Sequence, residues 1–277
     1  MTAKNLKEVL HKANKNKYAV AGLVVLGWED ALAYTQAADE TGIPIILQAG
    51  PSCRKYMPVP ILGKMFRHLT TQTKTHIVCH IDHGYSVKEC LEGIDNGFTS
   101  VMFDGSRLPI RQNIKLTSAI AKIAHKANVS VEGEVGFVGY NKGKMSIGTK
   151  IEEVELFAKE SGTDAIAISV GNKHLQTKKN ARIDINKIKA IESVTNTPLV
   201  LHGGSGIPGN IRKKLARNYN IAKFNIGTEI RMLFANTVRK NIARNKKSYD
   251  RIALLEPTII EMKKLTEKII SNIGPSI

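Results

Sequence analysis

Residues 79–84 read CHIDHG, two histidines and an aspartate within four positions, closed by a glycine. Two more histidines stand in similar settings, one ending GNKH (171–174) and one opening HGGSG (202–206). Three neutral imidazoles with one coordination position open make a catalytic zinc site, whereas four protein ligands make a closed structural one. His83, His174 and His202 are therefore candidate metal ligands. A single loop histidine is better explained by an ordinary hydrogen bond; recurrence at three equivalent places is what suggests a metal. The cysteines offer no competing ligand set, because Cys79 falls inside a strand and Cys90 inside a helix.

Asp82 directly precedes His83, and strict strand alternation sends neighbours to opposite faces. Both reach one site only if the chain leaves the strand there, and Gly84 is expected to supply the bend. A carboxylate beside a divalent cation is better placed as a proton acceptor than as a resting acid. As general base, Asp82 would take a proton from a substrate polarised by the metal. The competing reading makes it a carboxylate that orients an imidazole. By the same parity His80 points inward with Asp82, as an interior neighbour rather than a ligand.

A second kind of chemistry is suggested by LHGGSGIP (201–208) and NIGTEIR (225–231). In each, glycine and a hydroxyl residue precede a helix, with Pro208 and Thr228 at the openings. Backbone N–H groups at a glycine turn and a helix N-terminus, assisted by Ser205 and Thr228 hydroxyls, suit a phosphate dianion. Either turn alone is a weak signal; two in consecutive units are a specific one.

These residues need a scaffold that brings distant segments together. Short β-branched runs occur at 18–26, 44–48, 76–81, 100–105, 130–135, 165–170, 198–203 and 223–227. Amphipathic stretches such as 28–41, 86–97 and 151–162 lie between them. Alternation of this kind, with nearly continuous apolar strands, indicates a parallel sheet buried on both faces. Eight units predict an α/β fold, a single-domain (β/α)8 TIM barrel over 1–277 with C-terminal helices at about 228–272. An open doubly wound sheet is the alternative. The polar motifs favour the barrel: DHG, DGS, EGE, GNKH, HGGSG and NIGT all fall at or near strand carboxyl ends, the face where barrels build active sites.

Composition narrows the class further. The 277 residues are 42% hydrophobic and 23% charged, an ordinary globular balance. No apolar run reaches membrane-span length, and the lysine-rich N-terminus lacks a secretory pattern. Three cysteines without CxxC spacing fit a reducing cytoplasm. The net charge of +17 raises the question of nucleic acid. Its lysines are spread over outer helix faces, and the densest cluster (238–251) is expected in an amphipathic helix pair. No dedicated nucleic-acid surface is expected; attraction of anionic small substrates uses the same field.

With these residues in place, the chain resembles the class II, zinc-dependent ketose-bisphosphate aldolases, the fructose- and tagatose-bisphosphate group. The likeness runs from about residue 5 to about 272, through HIDHG, SVMFDGS, VEGEVG, LHGGSG and NIGTEIR in order. It implies a zinc held by His83, His174 and His202, with a monovalent cation as a further expectation. Asp82 would move the proton to and from dihydroxyacetone phosphate. Gly203, Gly204 and Ser205, with Asn225, Ile226, Gly227 and Thr228, would hold that molecule. Asn225 would face its carbonyl-hydroxyl end, and Ser205 and Thr228 its phosphate. Glu132 and Glu134 match acidic positions near the metal, for an alternative metal position or as support. The partner is then a small phosphorylated sugar, and the assembly a homodimer or homotetramer.

Four places depart from that pattern. Leu175 follows His174 where the family usually has glycine, and the 139–148 loop lacks an acidic pair used in proton shuttling. Gly22-Leu23-Val24 stands for Ala-Phe-Asn, and Gly50 aligns with a phosphate-binding serine, although Ser52, Arg54 and Lys55 are close by. Water or Tyr140 is the candidate replacement shuttle. The leading expectation is a zinc-dependent aldolase. A diverged barrel binding a sugar phosphate or acidic polymer without turnover is the second, and a zinc hydrolase the third.

Overall fold

The computed structural model describes residues 3–276. Eight parallel strands close on themselves in chain order: β1 (Val20–Val24), β2 (Ile45–Ala49), β3 (Ile77–Gly84), β4 (Ser100–Phe103), β5 (Ser130–Val135), β6 (Ala165–Ile168), β7 (Leu199–Leu201) and β8 (Ile221–Ile226). Pairing of β1 with β8, Gly22 opposite Asn225, seals the barrel. The open-sheet alternative is excluded by that pairing.

Helices α1 (Leu6–Lys15) and α2 (Trp28–Thr41) flank β1, and α3 (Pro51–Tyr56) and α4 (Val59–Thr71) follow β2. Then come α5 (Val87–Asp95), α6 (Ile110–Lys126), α7 (Ile151–Glu160), α8 (Ile185–Glu192) and α9 (Gly209–Asn218), one after each of β3 to β7. The chain ends with α10 (Thr228–Arg244) and α11 (Arg251–Ile273). Side-chain caps mark several starts, as when Ser86 accepts from Glu89 N–H and Asp184 from Lys187 N–H. The basic cluster expected within a helix pair instead straddles the end of α10 and the turn before α11.

Strand bounds follow local chemistry. β4 stops at Phe103 because Asp104 Oδ1 turns back to accept from Ser106 N–H and Oγ–H. β7 stops at Leu201, and Gly203 then adopts φ +67° at a point where a Cβ would collide with the Lys173 carbonyl.

Two apolar layers hold the barrel. Outward residues such as Leu47, Ile81, Val101 and Phe224 pack under the helices. Inward residues at the amino ends, including Val20, Ile46, Val78 and Val200, pack on Leu6, Val9 and Leu10 of α1, which stoppers that end. Above this plug the interior turns polar: Gln48, His80, Asp82, Glu132, Glu134, His202, Lys223 and Asn225 are all buried. Everything reactive is therefore directed toward the carboxyl face.

Candidate active site

Strand alternation on β3 runs as expected through Asp82: Ile77, Cys79 and Ile81 face the helices, while Val78 faces the interior. The bend that brings His83 inward lies one residue earlier than the sequence suggests. His83 itself is left-handed, φ +51°, and the β3–β4 register shifts between Ile81 and Gly84. Such a backbone costs a β-carbon-bearing residue about 1–2 kcal/mol. Gly84 serves a different purpose, since a Cβ there would stand 2.8 Å from the Met102 carbonyl oxygen and 2.9 Å from Cys90 Sγ.

The three histidines converge. Ring centroids are 4.6 Å apart for His83 and His202, 5.2 Å for His83 and His174, and 5.4 Å for His174 and His202. One nitrogen from each lies within 4.8 Å of the others. His83 Nδ1 is 2.8 Å from Asp104 Oδ2, which can only accept, so that nitrogen carries the proton and Nε2 offers a lone pair. By the same logic Glu132 Oε1, 3.3 Å from His202 Nε2, leaves a lone pair on His202 Nδ1. A cation between these rings satisfies both lone pairs, and the carboxylates behind them are the usual support of metal-bound imidazoles. The donor set fits a divalent metal with an open position.

Without a cation the group must hold a proton instead. Burial lowers His83, but Asp82, Asp104 and Glu134 outweigh it and raise it to about 9. Burial and the neighbouring His83 push His174 and His202 well below the usual imidazole range. Asp104 is held well below the carboxylate range; burial opposes this, and His83 and Ser106 outweigh it.

Glu132 and Glu134 are both within this site, with different tasks. Glu132 bridges His202 to Lys223, whose Nζ is 2.6 Å from Oε2. The interior ladder continues to His80, whose Nε2 lies 3.4 Å from Lys223 Nζ and whose Nδ1–H donates to Ser100 Oγ at 2.9 Å. His80 is thus a spacer inside the barrel. Glu134 accepts from Val138 N–H through Oε1, while Oε2 is buried without a hydrogen-bond partner among the described residues, 3.9 Å from His83 Nδ1. Burial and Asp104 raise its carboxyl well above the usual range. His83, Asp104 and Glu134 form a second candidate metal group, but His83 Nδ1 is already engaged by Asp104.

Asp82 is anchored on one side. Its Oδ1 accepts from Gln48 Nε2 at 2.9 Å and from Asn225 Nδ2 at 3.2 Å. Its Oδ2 has no hydrogen-bond partner among the described residues and faces Gly50, 3.6 Å from where a Cβ would sit. That arrangement suits a base whose free oxygen is aimed by two amides on the other.

The two glycine turns meet at Ser205. Its Oγ accepts from Gly227 N–H at 3.3 Å and from Glu229 N–H at 3.2 Å, tying the 203–206 turn to the start of α10. The hydroxyl hydrogen is left to donate outward. Gly203, Ser205, Asn225, Gly227 and Thr228 line one cleft of about 210 Å³ with Asp82, His83 and His174. Gly204 and Ile226 pack behind that surface, with Gly204 buried and Ile226 in the outer core.

The mouth is formed by residues the motifs did not assign. The 136–149 segment folds back on itself through Phe137 and Ile147, and its Gly139 and Asn141 bond the His174 backbone. Tyr140 stacks on the His174 ring at 5.0 Å and lines the cleft beside Tyr85. Leu175 is left-handed at φ +56° and 49% exposed at the rim. Asp104, Gln48 and Lys223 were also missed as individuals. DGS after strand four and inward parity on strands two and eight are the signals that mark them.

A closed parallel barrel with three imidazoles that could hold a metal and two glycine turns lining one cleft at its carboxyl face has the architecture of a barrel enzyme. Residues 4–276 match the model of the family described as fructose-bisphosphate aldolase class-II. A fructose-bisphosphate aldolase of Mycoplasma genitalium is 37% identical over 281 residues, 96% of each chain. A 6-phospho-5-dehydro-2-deoxy-D-gluconate aldolase of Shouchella clausii is 34% identical, covering 96% of this chain and 92% of its own. The crystal structure of the YdjI aldolase from Escherichia coli K12 superposes with a TM-score of 0.87 at 24% identity, over 99% and 98% of the two chains, and supports the fold. The chain belongs to the class II fructose-bisphosphate aldolase family. It is an aldolase, a carbon–carbon lyase, of a metal-dependent family.

Proposed function

We propose that this aldolase uses zinc, held by His83, His174 and His202, to cleave or form a ketose phosphate through dihydroxyacetone phosphate and an aldehyde. The observation that carries the reading is the placement of Asp82 Oδ2. It is the free oxygen of a carboxylate anchored by Gln48 and Asn225, on a residue that lines the same cleft as His83, His174 and both glycine turns. When bound, the metal would polarise adjacent carbonyl and hydroxyl oxygens of the substrate, which makes the neighbouring C–H acidic. Asp82 Oδ2 then takes that proton, and returns it in the cleavage direction.

The remaining residues bind and orient. Gly203, Gly204, Ile226 and Gly227 build the two turns, and Ser205 and Thr228 point hydroxyls at the phosphate. Asn225 holds Asp82 from the side where the carbonyl-hydroxyl end would lie. Asp104 and Glu132 fix the tautomers of His83 and His202, and Glu134 supplies a spare oxygen beside them. A Schiff-base lysine is disfavoured: Lys223 is fully buried beneath the cleft and paired with Glu132. Tyr140 and Tyr85 stand where a replacement for the absent loop acids is needed.

The protein is further proposed to be a cytoplasmic homodimer or homotetramer that also uses a monovalent cation. Three free, buried cysteines fit a reducing compartment, and no described helix is long and apolar enough to cross a membrane.

The test is a screen of aldehydes with dihydroxyacetone phosphate, with and without chelator, paired with C–H exchange on that ligand. Asp82→Ala should abolish exchange and bond formation while metal still loads. Near-normal turnover by Asp82→Ala would sink the proposal.

A further inference from the structure

We propose that Arg54 is a positioning residue that holds the left-handed turn at His83, and so sets both the metal ligand and the base. This role rests on the metal site proposed above.

Arg54 sits on α3, after β2, yet its guanidinium reaches across to β3. Nη1 donates to the carbonyls of Ala49 and Asp82, each at 2.6 Å. Nη2 donates to the His83 carbonyl at 2.9 Å and to Glu89 Oε2 at 2.7 Å. The side chain is 7% exposed, so these bonds face little competition from water.

The choice of carbonyls is informative. The φ and ψ of His83 are the rotations between two peptide planes, one carrying the Asp82 oxygen and the other the His83 oxygen. Arg54 grips one oxygen from each plane and thereby holds both rotations. The β3–β4 register breaks over these same residues, between Ile81 and Gly84, and buried carbonyls there need a donor from elsewhere. A left-handed, non-glycine backbone persists only where its surroundings over-determine it. Here the surroundings are one planar fork.

Geometry also explains why arginine is required. Its five donors lie in one rigid plane, so a single group serves three carbonyls and a carboxylate together. A lysine ammonium at the same place keeps the charge but cannot span that set. With the clamp loosened, the His83 ring loses its aim at His174 and His202, and Asp82 loses the turn that follows it.

The test compares metal-stripped wild type with Arg54→Lys, Arg54→Met, Glu89→Gln and His83→Ala. Zinc affinity is read against a competing chelator, Co²⁺ absorbance reports ligand geometry, and thermal unfolding reports folding. Arg54→Lys should weaken zinc roughly 10- to 100-fold and alter the Co²⁺ spectrum, as loss of outer support typically does. It should also lower kcat with KM for dihydroxyacetone phosphate little changed. Glu89→Gln, which keeps the carbonyl contacts, should stay within about twofold of wild type.

Arg54→Lys and Arg54→Met variants that load zinc as tightly as wild type would overturn the clamp alone. So would a Glu89→Gln loss equal to that of Arg54→Lys, which would assign the effect to the α3–α5 ion pair. Unaltered zinc affinity in His83→Ala would overturn the metal site on which the clamp rests. Should Arg54→Met fail to fold, the lysine variant decides.

Discussion

His83 Nε2 and His202 Nδ1 face each other at 3.0 Å, each ring having its opposite nitrogen engaged by a carboxylate. Only one proton or one cation fits between them. In the metal-free protein it is a proton, because burial, which disfavours the charged ring, is outweighed by Asp82, Asp104 and Glu134, and His83 rises to about 9.

Metal loading at the proposed site would compete with that proton. Below pH 9 loading must displace the His83 proton, so apparent affinity should rise about tenfold per pH unit between pH 6 and 8 and flatten toward 9. Chelator-competition titrations across that range check the slope. An affinity independent of pH would show that the proton is not displaced.

Gln48 should matter to turnover without touching the metal. Gln48→Leu removes one of two donors to Asp82 Oδ1, freeing the carboxylate to rotate. A base misaligned in this way should lose about 10- to 100-fold in kcat. Zinc stoichiometry should remain that of wild type, which separates this effect from loss of the metal.

Gly203 tests the anion cradle. Gly203→Ala adds a Cβ at φ +67°, against the Lys173 carbonyl. The turn must shift, and KM for dihydroxyacetone phosphate should rise at least about tenfold, a difference near 1.4 kcal/mol. Isothermal titration with inorganic phosphate should give the same direction.

Stability should respond to the buried pair. Lys223→Met leaves Glu132 without its ammonium partner at zero exposure, and removal of one member of a buried pair costs about 3–5 kcal/mol. Adding Glu132→Gln should recover much of that loss, as read by urea unfolding of single and double variants.

Asp30 gives the pH dependence of folding. Burial raises its carboxyl to about 6, although Leu26 and Gly27 N–H groups donate to it. The folded state then binds more protons than the unfolded state between about pH 4 and 6, so this residue's contribution to stability falls as pH rises through that window. Relative to Asp30→Asn, wild type should gain up to about 3 kcal/mol on going from pH 7 to pH 4. Urea unfolding of both proteins at several pH values measures the difference.

The barrel was legible because its signal is repeated. Eight apolar runs, the last six carrying polar motifs at or near their carboxyl ends, specify a closed parallel sheet without knowledge of any single contact. The convergence of Asp82, the histidines and the glycine turns on one face was legible because each lies at a strand carboxyl end. Gln48, Arg54 and Lys223 were not, since amides and basic side chains are common and their roles arise only from where the register places them. Gly84 was misread for a related reason: glycine suggests a bend, but the bend fell on His83, where external donors hold it. Leu175 likewise adopts a glycine-like backbone at φ +56°.

The interior ladder from Ser100 through His80, Lys223 and Glu132 to His202 has an evolutionary consequence. Its members occupy core volume as well as supporting the site, so a lineage that abandoned catalysis would have no easy route to shed them one at a time. Each single replacement strands a charge or a ring nitrogen in the buried centre. Selection for folding alone would thus preserve this part of the machinery. By contrast Leu175, half-exposed at the rim and outside the ladder, is free to drift, and changes there should alter the proposed aldehyde partner while leaving the fold intact.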